Sequence, residues 1–232
     1  MSLFSEFALD LLYPPTCLGC ERDGAWLCRT CLESLPIFRH AFCPKCGSSL
    51  RETHPCENRF PFASVIHAGP YADPRWRLLI TSFKYKSAIC LQQVFRLILV
   101  RFRDEFLGAW PWAGYERMSI VPIPPDPVRA RIRNLDHAAI LADAVHELLV
   151  PWGVIEHCLE RNGASLSNAL LERNELRSVN VAGAFRPRGP IQDPVLLIDD
   201  VFTSGATTLE AARALFLAGA PAVHVFTFAT GR

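Results

Sequence analysis

The sequence predicts an α/β fold in which a largely parallel β-sheet is flanked by helices and preceded by a small cysteine-rich domain. From Val65 onward, short apolar runs typical of buried strands alternate with segments whose apolar residues recur at helical spacing. Before that point, seven of the nine cysteines lie between Cys17 and Cys56. We therefore expect two domains, residues 1–60 and residues 61–232, with Pro61 marking the change of composition.

The composition is that of a globular protein without a bias toward nucleic acid or membrane. Half of the 232 residues are hydrophobic and the formal net charge is +1, so global charge alone does not indicate a polyanionic partner. No apolar run of about 18 residues is present, so we expect no membrane span. Glu6 and Asp10 interrupt the first apolar stretch and no basic segment precedes it, which is unlike an export signal. We therefore expect a cytoplasmic protein.

Three C-x-x-C pairs indicate zinc knuckles, in which two thiolates from one tight turn bind the same ion. Two such pairs complete a closed tetrahedral site, and a closed site is structural rather than catalytic. Few apolar residues occupy this segment, so metal binding would supply much of its folding energy. Without an export signal, we expect structural Zn²⁺ here rather than a disulfide framework.

The pairing of these ligands has more than one solution. Pairing in chain order assigns Cys17, Cys20, Cys28 and Cys31 to a first site, and leaves the remaining cysteines one ligand short of a second. His54 lies two residues before Cys56, so either it completes the second site or the second metal has been partly lost. A cross-braced pairing is a further alternative. The candidate metal ligands are Cys17, Cys20, Cys28, Cys31, Cys43, Cys46, Cys56 and His54.

The strands and helices of the larger part follow from apolar periodicity and from the turn residues between them. Predicted strands cover residues 64–71, 118–122, 154–158, 195–198 and 223–228. Predicted helices cover residues 74–83 and 89–106, a segment with Ala138, Leu141 and Val145 on one face, and a segment that follows residue 207. We expect Asp136 to cap the third helix and residues 186–194 to form a turn-rich loop.

Residues 196–208, reading LLIDDVFTSGATT, contain the most informative pattern. A buried strand meets two adjacent carboxylates, Asp199 and Asp200, and a turn of small residues then opens a helix. Free backbone N–H groups at a helix N-terminus, together with the helix dipole, favour a bound phosphate. The carboxylates lie within reach of the hydroxyls of a sugar whose phosphate occupies the turn, or of Mg²⁺. The predicted phosphate-binding residues are Thr203, Ser204, Gly205, Ala206 and Thr207.

The alternative without a ligand is a solvated strand end followed by an ordinary helix cap. A ribose 5-phosphate ligand explains every part of the pattern, whereas this alternative explains only the end of the strand and the start of the helix. The stretch resembles the signature of phosphoribosyltransferases for 5-phosphoribosyl 1-pyrophosphate (PRPP). Over nearly its whole length the chain is similar to the ComF family, the competence and gluconate-utilisation relatives of type I phosphoribosyltransferases.

This resemblance implies a type I phosphoribosyltransferase fold with an N-terminal double zinc ribbon. It also implies that a nitrogen nucleophile displaces Mg-pyrophosphate from C1 of PRPP, with Asp199 and Asp200 as the catalytic residues. Residues 161–185 resemble a family segment near which substrate-closing loops of this fold lie, so they are either a lid or a surface connection. Lys84, within the family-like K-Y-K motif, is either a phosphate contact or part of a solvated face.

The loop after the second strand resembles the loop that holds pyrophosphate in this family. Its prolines, including Pro124 and Pro125, have no N–H to donate, so backbone amides cannot wrap a diphosphate there. Charge neutralisation would then depend on Arg129, Arg131 and Arg133, for which an exposed basic loop is the alternative interpretation.

A rival function is a non-catalytic protein that senses PRPP, or that binds single-stranded DNA or competence proteins during DNA uptake. The proline-rich loop favours this rival, whereas the intact 196–208 signature favours ribose-phosphate binding. A DNA-binding role predicts salt-dependent affinity, because arginines would displace counterions from the phosphates.

Overall fold

The computed structural model describes residues 14–50, 62–85, 88–127, 135–162 and 183–231. The strands it describes are β1 (Ser64–Pro70), β2 (Ser119–Pro122), β3 (Val154–Ile155), β4 (Leu159–Arg161), β5 (Phe185–Pro187), β6 (Val195–Phe202) and β7 (Val223–Thr230). The helices it describes are α1 (Arg29–Glu33), α2 (Pro74–Tyr85), α3 (Ala88–Glu105), α4 (His137–Leu149) and α5 (Ala206–Leu217). The α/β prediction is confirmed.

Five strands form one sheet in the order β1-β7-β6-β2-β3, and every neighbouring pair is parallel. Side chains alternate between its two faces, so β6 buries Val195 and Leu197 against α5, and Leu196 and Ile198 against the layer that contains α2, α3 and α4. Burial on both faces is why the strand reads as a continuous apolar run. In the described part of the chain, none of the helices is both long and apolar enough to cross a membrane.

The chain changes direction across the sheet between β2 and β6. From β2 it passes through α4 to β3 on one side, and from β6 it passes through α5 to β7 on the other. The carboxyl ends of β2 and β6 are direct neighbours, with Pro122 opposite Ile198. Because the two following loops diverge, an α/β sheet opens a crevice at such a point, and ligands bind there.

The described N-terminal residues pack against the sheet instead of standing apart from it. Leu27 and Leu35 lie in the same buried cluster as Trp76, whose indole N–H donates to the Pro36 carbonyl at 2.7 Å. Phe42 exchanges backbone hydrogen bonds with Val65, which covers the outer edge of β1. Burial therefore contributes to the folding of this segment in addition to metal. The predicted boundary at Pro61 lies outside the described residues.

Several predicted boundaries were wrong. The strand predicted over 154–158 ends at Ile155, and β4 then pairs antiparallel with β5 in a separate two-stranded hairpin. Part of the predicted loop 186–194 belongs to β5. Strands of two or three residues are too short to show a periodic pattern, so tertiary pairing decides them. In addition, β6 continues past Ile198 to Phe202, which places both carboxylates within the strand. The predicted cap is confirmed, since Asp136 accepts the Ala139 N–H at 3.0 Å.

The buried His224 makes stability depend on pH. Burial lowers the pKa of His224 to about 4, and Ser64 Oγ lies 2.8 Å from its Nδ1. An unfolded histidine has a pKa of about 6.5, so protons bind the unfolded chain preferentially below that pH. We expect the His224 contribution to the free energy of unfolding to fall by about 2 kcal/mol between pH 7 and pH 5. Asp199, whose pKa burial raises to about 7, binds protons in the folded state over the same range and changes stability in the opposite direction. Urea unfolding at both pH values measures the net change in stability.

The variant His224→Gln removes the titrating ring and is the control for all other groups that titrate in this range. Between pH 7 and pH 5 the wild type should lose about 2 kcal/mol of unfolding free energy relative to this variant. Equal pH dependence in the two proteins would contradict this assignment.

Candidate functional site

A cavity of about 250 Å³ occupies the crevice between the carboxyl ends of β2 and β6. One wall is the end of β6 with the turn that follows it, and the opposite wall is the loop after β2 with the start of α4. Its charged side chains are Lys84, Asp126, Asp136, Arg161, Asp199 and Asp200. The crevice thus combines carboxylates that can accept hydrogen bonds from hydroxyls with cations that can bind phosphate.

Both signature carboxylates are half-buried at the end of β6. Asp200 Oδ2 lies 2.8 Å from Lys84 Nζ, and Asp199 Oδ1 accepts the Asp200 N–H at 2.8 Å. Burial, together with the neighbouring charge of Asp200, raises the pKa of Asp199 to about 7. Near neutral pH the Asp199 carboxyl can therefore either donate or accept a hydrogen bond with a ligand hydroxyl.

The turn after β6 has the backbone of an anion site. Gly205 adopts φ +78° and lies at the N-cap of α5, so the first N–H groups of that helix border a cavity of about 30 Å³ lined by residues 203–208. A Cβ on Gly205 would lie 2.5 Å from the Phe202 ring. The hydroxyls of Thr203, Ser204 and Thr207 line the same cavity. Only glycine permits this turn without displacing Phe202.

The structure brings some of the predicted ligand-binding residues together and leaves others undescribed. Lys84, Asp199, Asp200 and the turn 203–207 all border the crevice or its small extension. Arg129, Arg131 and Arg133 lie outside the described residues. Arg161 and Asp126 also line the crevice, and the sequence prediction did not include them among the site residues. The only sequence signal for Arg161 was that it begins the family-like segment 161–185.

The cysteine-rich segment brings Cys17, Cys20, Cys28 and Cys31 into one cluster, as chain-order pairing predicts. Their sulfur atoms all lie within 4.8 Å of one another, and the sulfurs of Cys20 and Cys28 are 3.7 Å apart. A tetrahedron with Zn–S bonds of 2.3 Å has sulfur–sulfur edges of about 3.8 Å. Burial and the neighbouring sulfurs raise the pKa of Cys31 to about 12, so four thiolates cannot coexist there without a cation.

Backbone and side-chain donors surround this cluster. The N–H groups of Gly19 and Cys28 donate to the Cys17 sulfur at 3.4 and 3.3 Å. Arg22 Nε donates to the Cys20 sulfur at 3.3 Å and lowers the pKa of that thiol to about 6. Donors around the ligands orient them and offset the negative charge of the thiolates.

The third C-x-x-C pair forms a similar turn near the edge of the sheet. Cys43 is buried and Cys46 is exposed, and Gly47 adopts φ +74° directly after them. The other two candidate ligands, His54 and Cys56, lie outside the described residues. A second zinc ion at Cys43, Cys46, His54 and Cys56 therefore stays a prediction.

Comparison with known proteins agrees with this arrangement. Residues 8–58 match the double zinc ribbon domain family, and the four-cysteine cluster within that range is a zinc-binding site. The chain is similar to the DNA utilization protein YhgH of Escherichia coli (strain K12), with 28% identity over 229 residues that cover 93% of this chain and 97% of that protein. The proteins of the same name from Escherichia coli O157:H7 and Shigella flexneri are 27% identical over the same shares of each chain.

Removing one zinc ligand should remove the ion and destabilise the N-terminal segment. We expect Cys28→Ser to bind one zinc ion fewer than the wild type and to unfold at lower urea concentration, because metal binding and folding are coupled. Zinc content by mass spectrometry and urea unfolding measure the two effects. The control is Cys90→Ser, which changes an exposed cysteine outside the cluster. Equal zinc content in the two variants would contradict the site.

Replacing Gly205 should cost more stability than replacing a glycine that also has a positive φ but lies in open space. Gly108 has φ +94° and nothing within 4 Å of an added Cβ, so it is the matched control. In each Ala variant, the left-handed backbone conformation lowers the free energy of unfolding by about 1–2 kcal/mol. In Gly205→Ala, overlap with Phe202 adds about 1–3 kcal/mol. Urea unfolding measures the difference, and equal losses in the two variants would contradict the close contact.

Proposed function

We propose that this protein binds PRPP, or a related ribose phosphate, in the crevice between β2 and β6, and that it is a phosphoribosyltransferase-type protein. The observation that carries the proposal is the continuity of three features at one strand end: two carboxylates, a left-handed glycine turn and the N-terminus of α5. In a ribose 5-phosphate, one methylene group joins the phosphate to a ring that carries hydroxyls. Its binding site therefore needs an anion-binding turn directly beside hydrogen-bond acceptors. Structural zinc stabilises the N-terminal domain, which we assign to residues 1–60, and the transferase-type domain comprises residues 61–232.

Each part of the ligand has a partner in this proposal. The turn 203–207 binds the 5-phosphate through N–H groups and hydroxyls, and Asp199 and Asp200 accept hydrogen bonds from the ribose hydroxyls. Lys84, now paired with Asp200, turns to the phosphates of the ligand. Mg²⁺ would neutralise the diphosphate, and Asp199 and Asp200 are the residues that would hold it. Transfer to a nitrogen nucleophile then needs orientation and charge stabilisation from the protein instead of a covalent intermediate.

A second candidate function is binding of single-stranded DNA or competence proteins. Similarity to a DNA utilization protein over nearly the full length of both chains favours it, and so do Pro124 and Pro125, which line the crevice without an N–H to donate. A DNA complex would bind through cations, so its affinity would fall steeply with salt. Fluorescence anisotropy of a labelled oligonucleotide at two salt concentrations tests it.

Calorimetric titration of PRPP into the zinc-loaded protein with Mg²⁺ tests the first proposal. The double variant Asp199→Asn/Asp200→Asn loses two charge-assisted hydrogen bonds, so we expect its PRPP affinity to fall by about 100-fold or more. Its affinity for pyrophosphate measured without Mg²⁺ should be retained or increased, because Lys84 loses its carboxylate partner. Asp104→Asn/Asp143→Asn, which changes two exposed carboxylates elsewhere on the helices, is the control.

A well-folded, zinc-loaded wild type that binds no PRPP would contradict the proposal. The oligonucleotide measurement then becomes the deciding one. An equal loss of affinity in both double variants would also contradict it, because the loss would follow net charge and not the ribose site.

A further inference from the structure

The crevice contains a cation that the proposed function has not used. Arg161 ends β4 and lines the cavity together with Asp199, Asp200 and Thr203, and its side chain is 20% exposed. It reaches the crevice from the β4–β5 hairpin, which is not part of the main sheet. Lys84 approaches the same cavity from the end of α2, so the two cations reach it from different elements of the fold.

Neighbouring groups hold the Arg161 guanidinium in place. It lies over the Phe185 ring, with Cζ 5.3 Å from the ring centroid, and Phe185 is its direct partner across the hairpin. Nη2 lies 4.0 Å from Asp126 Oδ2, in the loop after β2. These contacts orient the side chain toward the crevice and leave 20% of it exposed.

The β4–β5 hairpin is itself attached to α5, the helix that begins at the turn 203–207. Gly183 N–H donates to Glu210 Oε1 of α5 at 2.6 Å, and Leu159 and Phe185 are buried in the cluster that contains α5. On the opposite face of the hairpin, Glu160 pairs with Arg186 and Arg188 at 3.0 and 2.9 Å. Of these arginines, Arg161 is the one that lines the cavity. Its distance from the turn 203–207 is therefore set by tertiary packing.

The chemistry of the walls indicates what this guanidinium binds. Pro124 and Pro125 line the loop side of the cavity and have no backbone N–H to donate to an anion. A diphosphate there must be bound by side-chain cations, and the planar fork of arginine fits two phosphate oxygens at once. The positive charge of Arg161 acts to lower the pKa of Asp199, although burial raises that pKa by more. The two groups therefore lie close enough to interact electrostatically.

We propose that Arg161 binds the diphosphate on C1 of the ligand and so makes the crevice selective for PRPP over ribose 5-phosphate. This inference rests on the proposed function. Asp126 pairs with the guanidinium before the ligand arrives and gives way to the diphosphate when it binds. The residues on the turn 203–207 bind the phosphate that the two ligands share, and Arg161 binds the part that only PRPP has.

The test compares PRPP, ribose 5-phosphate and pyrophosphate by calorimetry with Mg²⁺ on the full zinc-loaded chain. For Arg161→Gln we expect affinity for PRPP and for pyrophosphate to fall by about 30-fold or more, from loss of charged hydrogen bonds. Affinity for ribose 5-phosphate should stay within about twofold. Arg161→Lys should recover only part of the loss, because an ammonium group cannot bind bidentately.

The control is Arg186→Gln, in which an arginine that is 70% exposed is lost from the other face of the same hairpin. It should leave the affinity of all three ligands unchanged. Asp126→Asn keeps the guanidinium and removes one negative charge from the wall, so PRPP affinity should rise. This variant keeps the proposal testable if Arg161→Gln does not fold.

The possible outcomes separate this inference from the function on which it rests. Equal losses for PRPP and ribose 5-phosphate in Arg161→Gln would overturn it, because Arg161 would then act through the shape of the site. Unchanged PRPP affinity in that variant would also overturn it and would leave PRPP binding intact. If the wild type binds none of the three ligands, the proposed function itself fails and this inference fails with it.

Discussion

The parallel pairing of β2 with β6 is the constraint on which the rest of the site depends. Both strands end at the same edge of the sheet, and the chain leaves them toward opposite sides. Because the two following loops diverge, a crevice opens between them. The carboxylates of β6, the turn before α5 and the proline-rich loop after β2 meet at this point because each lies at the end of one of the two strands or directly after it.

Four of the charged side chains in this crevice form two pairs of opposite charge. Lys84 lies 2.8 Å from Asp200, and Arg161 lies 4.0 Å from Asp126. A small neutral ligand would have to separate these ion pairs without offering the charged groups new partners. The sugar phosphate that we propose as ligand would present hydroxyls to the carboxylates and phosphate oxygens to the cations, so both partners of each pair would gain a new contact. The raised pKa of Asp199 also reduces the cost of gathering carboxylates in a half-buried site.

Hydrogen bonds to backbone carbonyls, as well as burial, hold the zinc-binding segment to the larger part of the protein. Arg101 on α3 donates to the carbonyls of Leu32 and Leu35, at 2.5 and 2.7 Å. Trp76 lies between this segment and β1, and it packs so closely on Gly69 that a Cβ there would lie 2.1 Å from the indole. The four cysteines therefore organise a segment that also protects the edge strand of the sheet, whose free backbone groups would otherwise be exposed.

The sequence by itself determined the parts of this protein that local patterns encode. Apolar runs predicted the central strands, Asp136 predicted a helix cap, and the spacing of Cys17, Cys20, Cys28 and Cys31 predicted one metal cluster, because each signal involves residues close in the chain. Only the tertiary structure decided that Arg161 lies in the crevice beside Asp199 and that Lys84 pairs with Asp200. Those contacts join residues that are distant in sequence, and the short hairpin that delivers Arg161 has no periodic pattern to reveal it.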